Sequence, residues 1–191
     1  MTEGSIRTRP DKNIRKKDEI RLLQAARQDP RAFGELYLQY VEQVFRYLFS
    51  RLGNIQEAED ATAQAFLSAF ESFGRFREND HFASWLFTIA RNKAMDQFRQ
   101  RKNLESIHDI DNIPAEEDPL SSVIQSEQAT ALSQIILNLP EEERELLRLR
   151  FLAEMSYREM AHFLRRNEEA VKKTMYRLLA RLQSQLEVSN E

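Results

Sequence analysis

Residues 81–102 read HFASWLFTIARNKAMDQFRQRK. The stretch lacks Pro and Gly, which predicts one helix of about six turns at 3.6 residues each. Phe82, Trp85, Leu86 and Ile89 form an apolar stripe at helical spacing, and Lys93 and Asp96 break it after Ala90. Ser84, Thr88, Arg91, Met95, Arg99 and Lys102 share a narrow sector on the opposite side, with Asn92 at its edge. One end therefore reads as anchored in a core, and the other as a basic, amide-bearing face with Phe87 and Phe98 nearby. Bases give phosphate affinity and flat rings give base stacking. A solvated charged face on a core helix fits the same pattern. Trp85 suits either a core position or a stacking platform.

Composition narrows the classes. The chain has 191 residues, no Cys, four Gly and a net charge of −3. Scarce Gly and the lack of β-branched runs predict an all-α fold. No run approaches the ~18 apolar residues of a membrane span, and no apolar stretch follows the basic N-terminus, so we expect neither membrane insertion nor a signal peptide. The cytoplasm is the expected location. A negative net charge argues against nucleic-acid binding, but the charge is segregated. Arg91, Lys93, Arg99, Arg101 and Lys102 cluster against Asp96. Arg165, Arg166, Lys172, Lys173, Arg177 and Arg181 cluster against Glu168 and Glu169. Local basic patches matter more than the sum.

Around the central stretch the chain divides into four segments. Residues 1–17 are polar, basic and expected to be disordered. Residues 18–102 carry four helical patterns, starting at Asp18, at Arg31 after Asp29-Pro30, at Asn54 or Ile55 after Gly53, and at His81. Residues 103–127 form an acidic linker containing Pro114 and Pro119. Residues 128–187 form a second helical domain. There Pro140 precedes Glu141, Glu142 and Glu143, whose charge suits a positive helix end. Ser156-Tyr157-Arg158-Glu159 is a capping box, and Asn167 caps a last helix rich in bases, giving a helix-turn-helix.

Together these motifs resemble the extracytoplasmic-function (ECF) class of bacterial sigma factors. Ala58-Glu59-Asp60-Ala61-Thr62-Ala63-Gln64-Ala65-Phe66 is similar to the family's polymerase-binding stretch, with Ala65 in place of a common Glu. Phe73-Gly74-Arg75-Phe76-Arg77 and Phe82 through Asn92 resemble its SFRxxxxFxxWLxxIARN segment. Leu139-Pro140-Glu141-Glu142 through Phe151, then Met155 through Ala161, resemble its second domain. Arg165-Arg166 stand where the family usually has Gly-Ile, and Glu169-Ala170 where it has a small residue and Thr. An Arg in a left-handed position costs about 1 kcal/mol.

The resemblance implies a promoter-specificity subunit with core RNA polymerase and promoter DNA as partners, and an anti-sigma factor as a further one. It implies no enzyme, no catalytic residue, no metal and no cofactor. Asp60 and Gln64 would contact the polymerase. Asn79, Asp80, His81, Arg91, Asn92 and Arg99 would contact the minus-ten element. Glu168, Lys172, Lys173, Thr174 and Arg177 would contact the minus-thirty-five element. Two rivals remain on sequence grounds: a free-standing helix-turn-helix regulator and a helical adaptor. As a coil, the 25-residue linker spans about 25–30 Å, less than one DNA turn of roughly 34–36 Å. This predicts a free chain that is compact or variable in domain spacing. Core polymerase would hold it open, and the linker or a partner helix would otherwise cover the basic faces.

Overall fold

The computed structural model describes residues 12–77, 81–105 and 127–189. Every regular element among them is helical, as the composition predicts. The elements are α1 (Lys12–Gln28), α2 (Phe33–Leu52), α3 (Ile55–Ser72), α4 (Phe82–Glu105), α5 (Glu127–Leu137), α6 (Glu141–Leu147), α7 (Tyr157–Leu164) and α8 (Glu168–Ser189). Short 3-10 turns lie at Pro30–Ala32 and Phe73–Arg75, and a π-helical turn at Arg148–Leu152. Among the described residues, no helix is long and apolar enough to cross a membrane.

Contacts divide the chain into two units, Met1–Val41 and Glu42–Glu191. The first holds α1 and the start of α2. Its α1 begins at Lys12, inside the stretch expected to be disordered. Lys and Arg are good helix formers, and no Pro follows Pro10 there. The Asp29 carboxylate accepts from the Arg31 N–H at 2.9 Å and Pro30 opens the 3-10 turn, as the Asp-Pro pair predicts. Tyr40 donates its hydroxyl to Glu19 at 2.9 Å.

The second unit begins within α2. Gly53 ends that helix at φ +71°, a left-handed conformation that glycine adopts without a Cβ penalty. The side chain of Asn54 then caps α3 by accepting from the Glu57 N–H. Ala58, Ala61, Ala65 and Ala69 line the buried side of α3, where small side chains let α4 approach closely. Phe66, Phe73, Phe76, Phe82, Leu86 and Phe87 fill the space beside them. Tyr47 of α2 meets Phe87 edge-on at 5.2 Å. Trp85 packs against Phe73, Phe76 and Phe82, with its closest ring centroid 5.1 Å away, yet keeps part of its surface open.

The remaining helices enclose a second apolar centre of Leu146, Leu149, Met155, Met160, Phe163, Val171, Met175, Leu178 and Leu182. Pro140 is the N-cap of α6, ahead of the first-turn triplet Glu141-Glu142-Glu143. The π-turn is unforeseen: Ala153 N–H donates to Arg148 O, five residues back. Two residues beyond its end, Glu154 is held at φ +54°. The capping box forms as expected. The Ser156 N–H donates to Glu159 Oε2 at 2.7 Å, and the Glu159 N–H donates to Ser156 Oγ at 3.3 Å. Arg165 sits at φ +53°, ψ +44° between α7 and α8, the left-handed position anticipated for it. Asn167 Oδ1 then accepts from the Glu169 N–H at 2.8 Å and opens α8.

Arg165 is exposed and its Cβ is strained. Replacing Arg165 by Gly is expected to raise unfolding free energy by about 0.5–1 kcal/mol, net of the extra entropy glycine gives the unfolded chain. A higher urea midpoint at unchanged slope is the readout.

Candidate nucleic-acid interface

The outer face of α3 carries Asp60 and Gln64, both exposed, directly opposite the buried alanine stripe. Leu67 continues that outer face one turn on and is 58% exposed. An apolar side chain beside two polar ones, held by a rigid helix, suits a protein partner. Leu67 escaped the sequence reading because a lone Leu in an amphipathic helix reads as core.

α4 splits into two parts. In its second half Asn92 and Arg99 are exposed, as are Met95 and Phe98 beside them. Arg99 pairs with Asp96 at 3.2 Å, an exposed contact of little energetic weight. This end matches the expected amide-bearing, basic face with an aromatic ring. Arg101 differs: its guanidinium grips Glu57 through Nε at 2.9 Å and through Nη2, and Nη2 also donates to Leu52 O at 3.1 Å. It ties α4 to α3 and is a structural arginine, although the sequence counts it among the bases of the patch.

The first half of α4 is covered. Ser84 and Arg91 meet α7 of the helix-turn-helix. Ser84 is 2% exposed and donates Oγ to the backbone oxygen of Glu159 at 2.8 Å. The Arg91 guanidinium lies 4.6 Å from the centre of the Phe163 ring. His81 and His162 meet edge-on at 5.3 Å. Arg91 and His81, both expected minus-ten contacts, thus meet α7 in this structure. α7 offers Phe163 as a flat face that attracts a guanidinium, and the Glu159 carbonyl satisfies the serine. Asn79 and Asp80 lie outside the described residues, as do residues 106–126 of the expected linker.

On α8, Lys173 and Arg177 are exposed and carry no ion pair among the described residues. Lys172 sits between Glu169 at 2.9 Å and Glu168 at 3.3 Å. The hydrogen bond it donates to Glu169, then that to Glu168, holds its ammonium above the usual lysine value. Thr174 donates to Ala170 O at 2.8 Å and accepts from Arg166 at 3.4 Å. The five expected contact residues thus share one helix, but the two Glu residues already offset one of the three positive charges.

A cluster that the sequence reading missed joins α2 to α6. The Tyr47 hydroxyl donates to Glu145 Oε1 at 2.8 Å. Arg51 Nη1 donates to Glu145 Oε2 at 2.6 Å and to the Tyr47 oxygen at 3.0 Å. Arg148 reaches Glu141 at 2.6 Å, Glu145 at 3.6 Å and the Ser50 hydroxyl at 3.0 Å. Arg46 pairs with Glu154 at 3.2 Å. Glu145 is only 8% exposed. Burial first, then the charge of Glu145, pushes the Tyr47 hydroxyl far above the ordinary tyrosine value, so it stays a donor. Burial works against the charge of Arg51, but Tyr47 and Glu145 outweigh it and hold the guanidinium protonated. The available signals were Tyr47 and Arg51 at i, i+4 on one helix, and Glu145 beside Leu146 and Leu149 on a face that is otherwise apolar.

Residues 36–104 match Sigma-70 region 2, and residues 129–182 match Sigma-70, region 4. The chain is 30% identical over 159 residues to the ECF RNA polymerase sigma factor SigM of Bacillus subtilis, covering 78% of this chain and 92% of SigM. The chain belongs to the ECF sigma factors. It is a sigma factor of RNA polymerase that directs promoter-specific transcription initiation. The ECF sigma factor BldN of Streptomyces coelicolor is 36% identical over 155 residues, covering 79% of this chain and 59% of BldN. The chain thus spans less than two thirds of that relative. Among solved structures, CnrH in complex with the cytosolic domain of CnrY aligns over 90% of this chain and 97% of CnrH, with TM-score 0.62 and 26% identity.

Arg99 and Arg101 of α4 separate surface from structural roles in this sigma factor. Arg101→Ala is expected to cost about 1 kcal/mol, a partly exposed ion pair plus a backbone contact. Arg99→Ala is expected to stay within about 0.5 kcal/mol of the parent. Paired urea denaturation curves compare them directly.

Proposed function

We propose that the outer face of α3 binds core RNA polymerase through Asp60 and Gln64, with Leu67 between polymerase and helix. Residues 18–102 read and melt the minus-ten element through Asn79, Asp80, His81, Arg91, Asn92 and Arg99. Residues 128–187 read the minus-thirty-five element through α8, with Lys173 and Arg177 holding phosphates and Glu168, Lys172 and Thr174 facing the groove. Residues 103–127 connect the two. The polymerase performs the chemistry, and this chain is not an enzyme. It works in the cytoplasm, where polymerase and promoter meet. An anti-sigma factor stands as a further partner, as CnrH is found in complex with the cytosolic domain of CnrY.

The observation that carries this reading is the division of labour along three helices. α3 buries alanines on one side and shows Asp60, Gln64 and Leu67 on the other. α4 exposes Asn92 and Arg99 beyond its anchored first half, and α8 exposes Lys173 and Arg177. A free-standing regulator needs only the last of these, and an adaptor needs neither basic face.

Replacing Asp60 and Gln64 together by Ala is expected to weaken core-polymerase binding by about 1–3 kcal/mol with helicity retained. Equal affinity in a titration of core enzyme would remove the α3 assignment. Replacing Lys173 and Arg177 by Ala is expected to weaken promoter binding and to flatten its log–log salt dependence by roughly 2, at about 0.9 per lost phosphate contact. An unchanged slope would mean that neither residue holds a phosphate.

A further inference from the structure

The turn between α7 and α8 carries Arg165 and Arg166 where the family usually has Gly-Ile. Arg165 holds φ +53°, ψ +44°, a left-handed conformation that crowds its Cβ. Its backbone N–H donates to His162 O at 3.3 Å, and that of Arg166 donates to Ala161 O at 2.9 Å. A glycine would make the first of these bonds equally well, so closing the turn does not require the arginine. Both residues are exposed and form no ion pair among the described residues. Backbone strain that neither the turn nor an ion pair repays implies a use beyond the fold.

The surroundings of Arg166 give that use a direction. Its Nη2 donates to Thr174 Oγ1 at 3.4 Å, so the guanidinium lies beside α8. At about 100° per residue, Thr174 and Arg177 lie on one side of the outward Lys173, and Glu169 and Lys172 on the other. The second side is neutralised and more: Lys172 meets Glu169 at 2.9 Å and Glu168 at 3.3 Å, two carboxylates against one ammonium. The first side is bare. Arg166 and Arg177 have no carboxylate partner among the described residues, and the bare stretch ends one turn on, where Glu143 holds Arg181. A helix seated in a major groove is bordered by phosphates on both sides. Those phosphates attract the arginine flank of α8 and repel the carboxylate flank.

Resting on the reading of α8 as the minus-thirty-five helix, we propose that Arg165 and Arg166 extend the Arg177 flank into a clamp on the phosphates of one DNA strand. α8 then leans toward that strand and away from the other. The planar fork of a guanidinium matches two phosphate oxygens at once, which the usual Gly-Ile pair cannot do. Turning to a phosphate costs Arg166 only its long bond to Thr174, whose hydroxyl keeps its own bond to Ala170 O. The clamp sets position and register and reads no base. It also offsets the repulsion that Glu168 and Glu169 bring to the same helix.

The test exchanges both arginines for the usual pair, Arg165→Gly with Arg166→Ile, in the full chain bound to core polymerase. The probe is a promoter duplex that the parent holoenzyme selects from a random library. The double variant is expected to flatten the log–log salt dependence by roughly 2, at about 0.9 per lost phosphate contact, which amounts to roughly thirtyfold in affinity at about 0.15 M salt. Its ranking of base changes in the minus-thirty-five element is expected to match the parent's, since phosphates carry no sequence. Its urea midpoint is expected to be no lower, because the crowded Cβ is gone, so weaker binding is not lost folding. Arg165→Lys with Arg166→Lys keeps the charges and is expected to recover most of the slope. Methylphosphonates placed singly along each strand are expected to weaken the parent at positions where they leave the double variant unaffected, and those positions are expected to fall on one strand. Positions spread over both strands would overturn the one-sided placement. A parental slope and affinity in the double variant, while Lys173→Ala with Arg177→Ala flattens the slope, would overturn the clamp and leave the α8 reading standing. Parental slopes in both variants would remove α8 from the DNA interface and the clamp with it.

Discussion

A carboxylate out of water is stable only if its surroundings replace the hydration it gave up. Glu145 meets that condition with the Tyr47 hydroxyl, the Arg51 guanidinium and the flank of Arg148. The need constrains both elements that meet there. α2 must present Tyr47 and Arg51 one turn apart, and α6 must bring Glu145 to them together with Arg148. Desolvation and attraction nearly cancel in such clusters, while loss of one partner leaves a buried charge and costs about 3–5 kcal/mol. The contact is thus specific without being strongly stabilising. An apolar interface of the same extent would bind more firmly, and would leave an aggregation-prone patch whenever it opened.

The arginines around α4 show how one residue type serves different ends. Arg101 is committed to Glu57 and to the Leu52 carbonyl and holds α3 and α4 together. Arg99 has only Asp96, at the surface. Arg91 lies between these cases, stacked on Phe163 with its Nε unsatisfied. Charge alone does not distinguish them. Their partners do, and for two of the three arginines those partners come from other helices.

Charge compensation recurs on α8. Glu168 and Glu169 suit the positive end of that helix and also bracket Lys172. A net charge of −3 is therefore compatible with a DNA-binding chain. The carboxylates tend to sit on the bases at rest, at Arg51, Arg148, Lys172 and Arg181, the last held by Glu143. The exposed pairs among these, such as Lys172 with Glu169, are each worth little by themselves.

Features fixed within a few residues were legible in the linear chain. Apolar periodicity marked the helices, Gly53-Asn54 the break between α2 and α3, Ser156 and Glu159 the cap of α7, and Asn167 the start of α8. The left-handed Arg165 followed from an arginine standing where a glycine is usual. These depend on backbone geometry and on side chains three or four positions apart, so the sequence contains both partners. The early start of α1 and the π-turn at Arg148–Leu152 were not legible, since helix-forming preference alone does not mark either. The candidate contact residues were named from motif resemblance, and exposure then divided them: Asp60, Gln64, Asn92, Arg99, Lys173 and Arg177 lie at the surface, whereas Arg91 and His81 meet α7. That division, and the burial of Glu145, depend on residues about a hundred positions apart on the chain: Tyr47 with Glu145, Arg46 with Glu154. No local pattern records such a pairing, because each residue by itself reads as an ordinary surface charge or core ring. Only packing α2 and α4 against α6 and α7 takes the water away and makes partners of them.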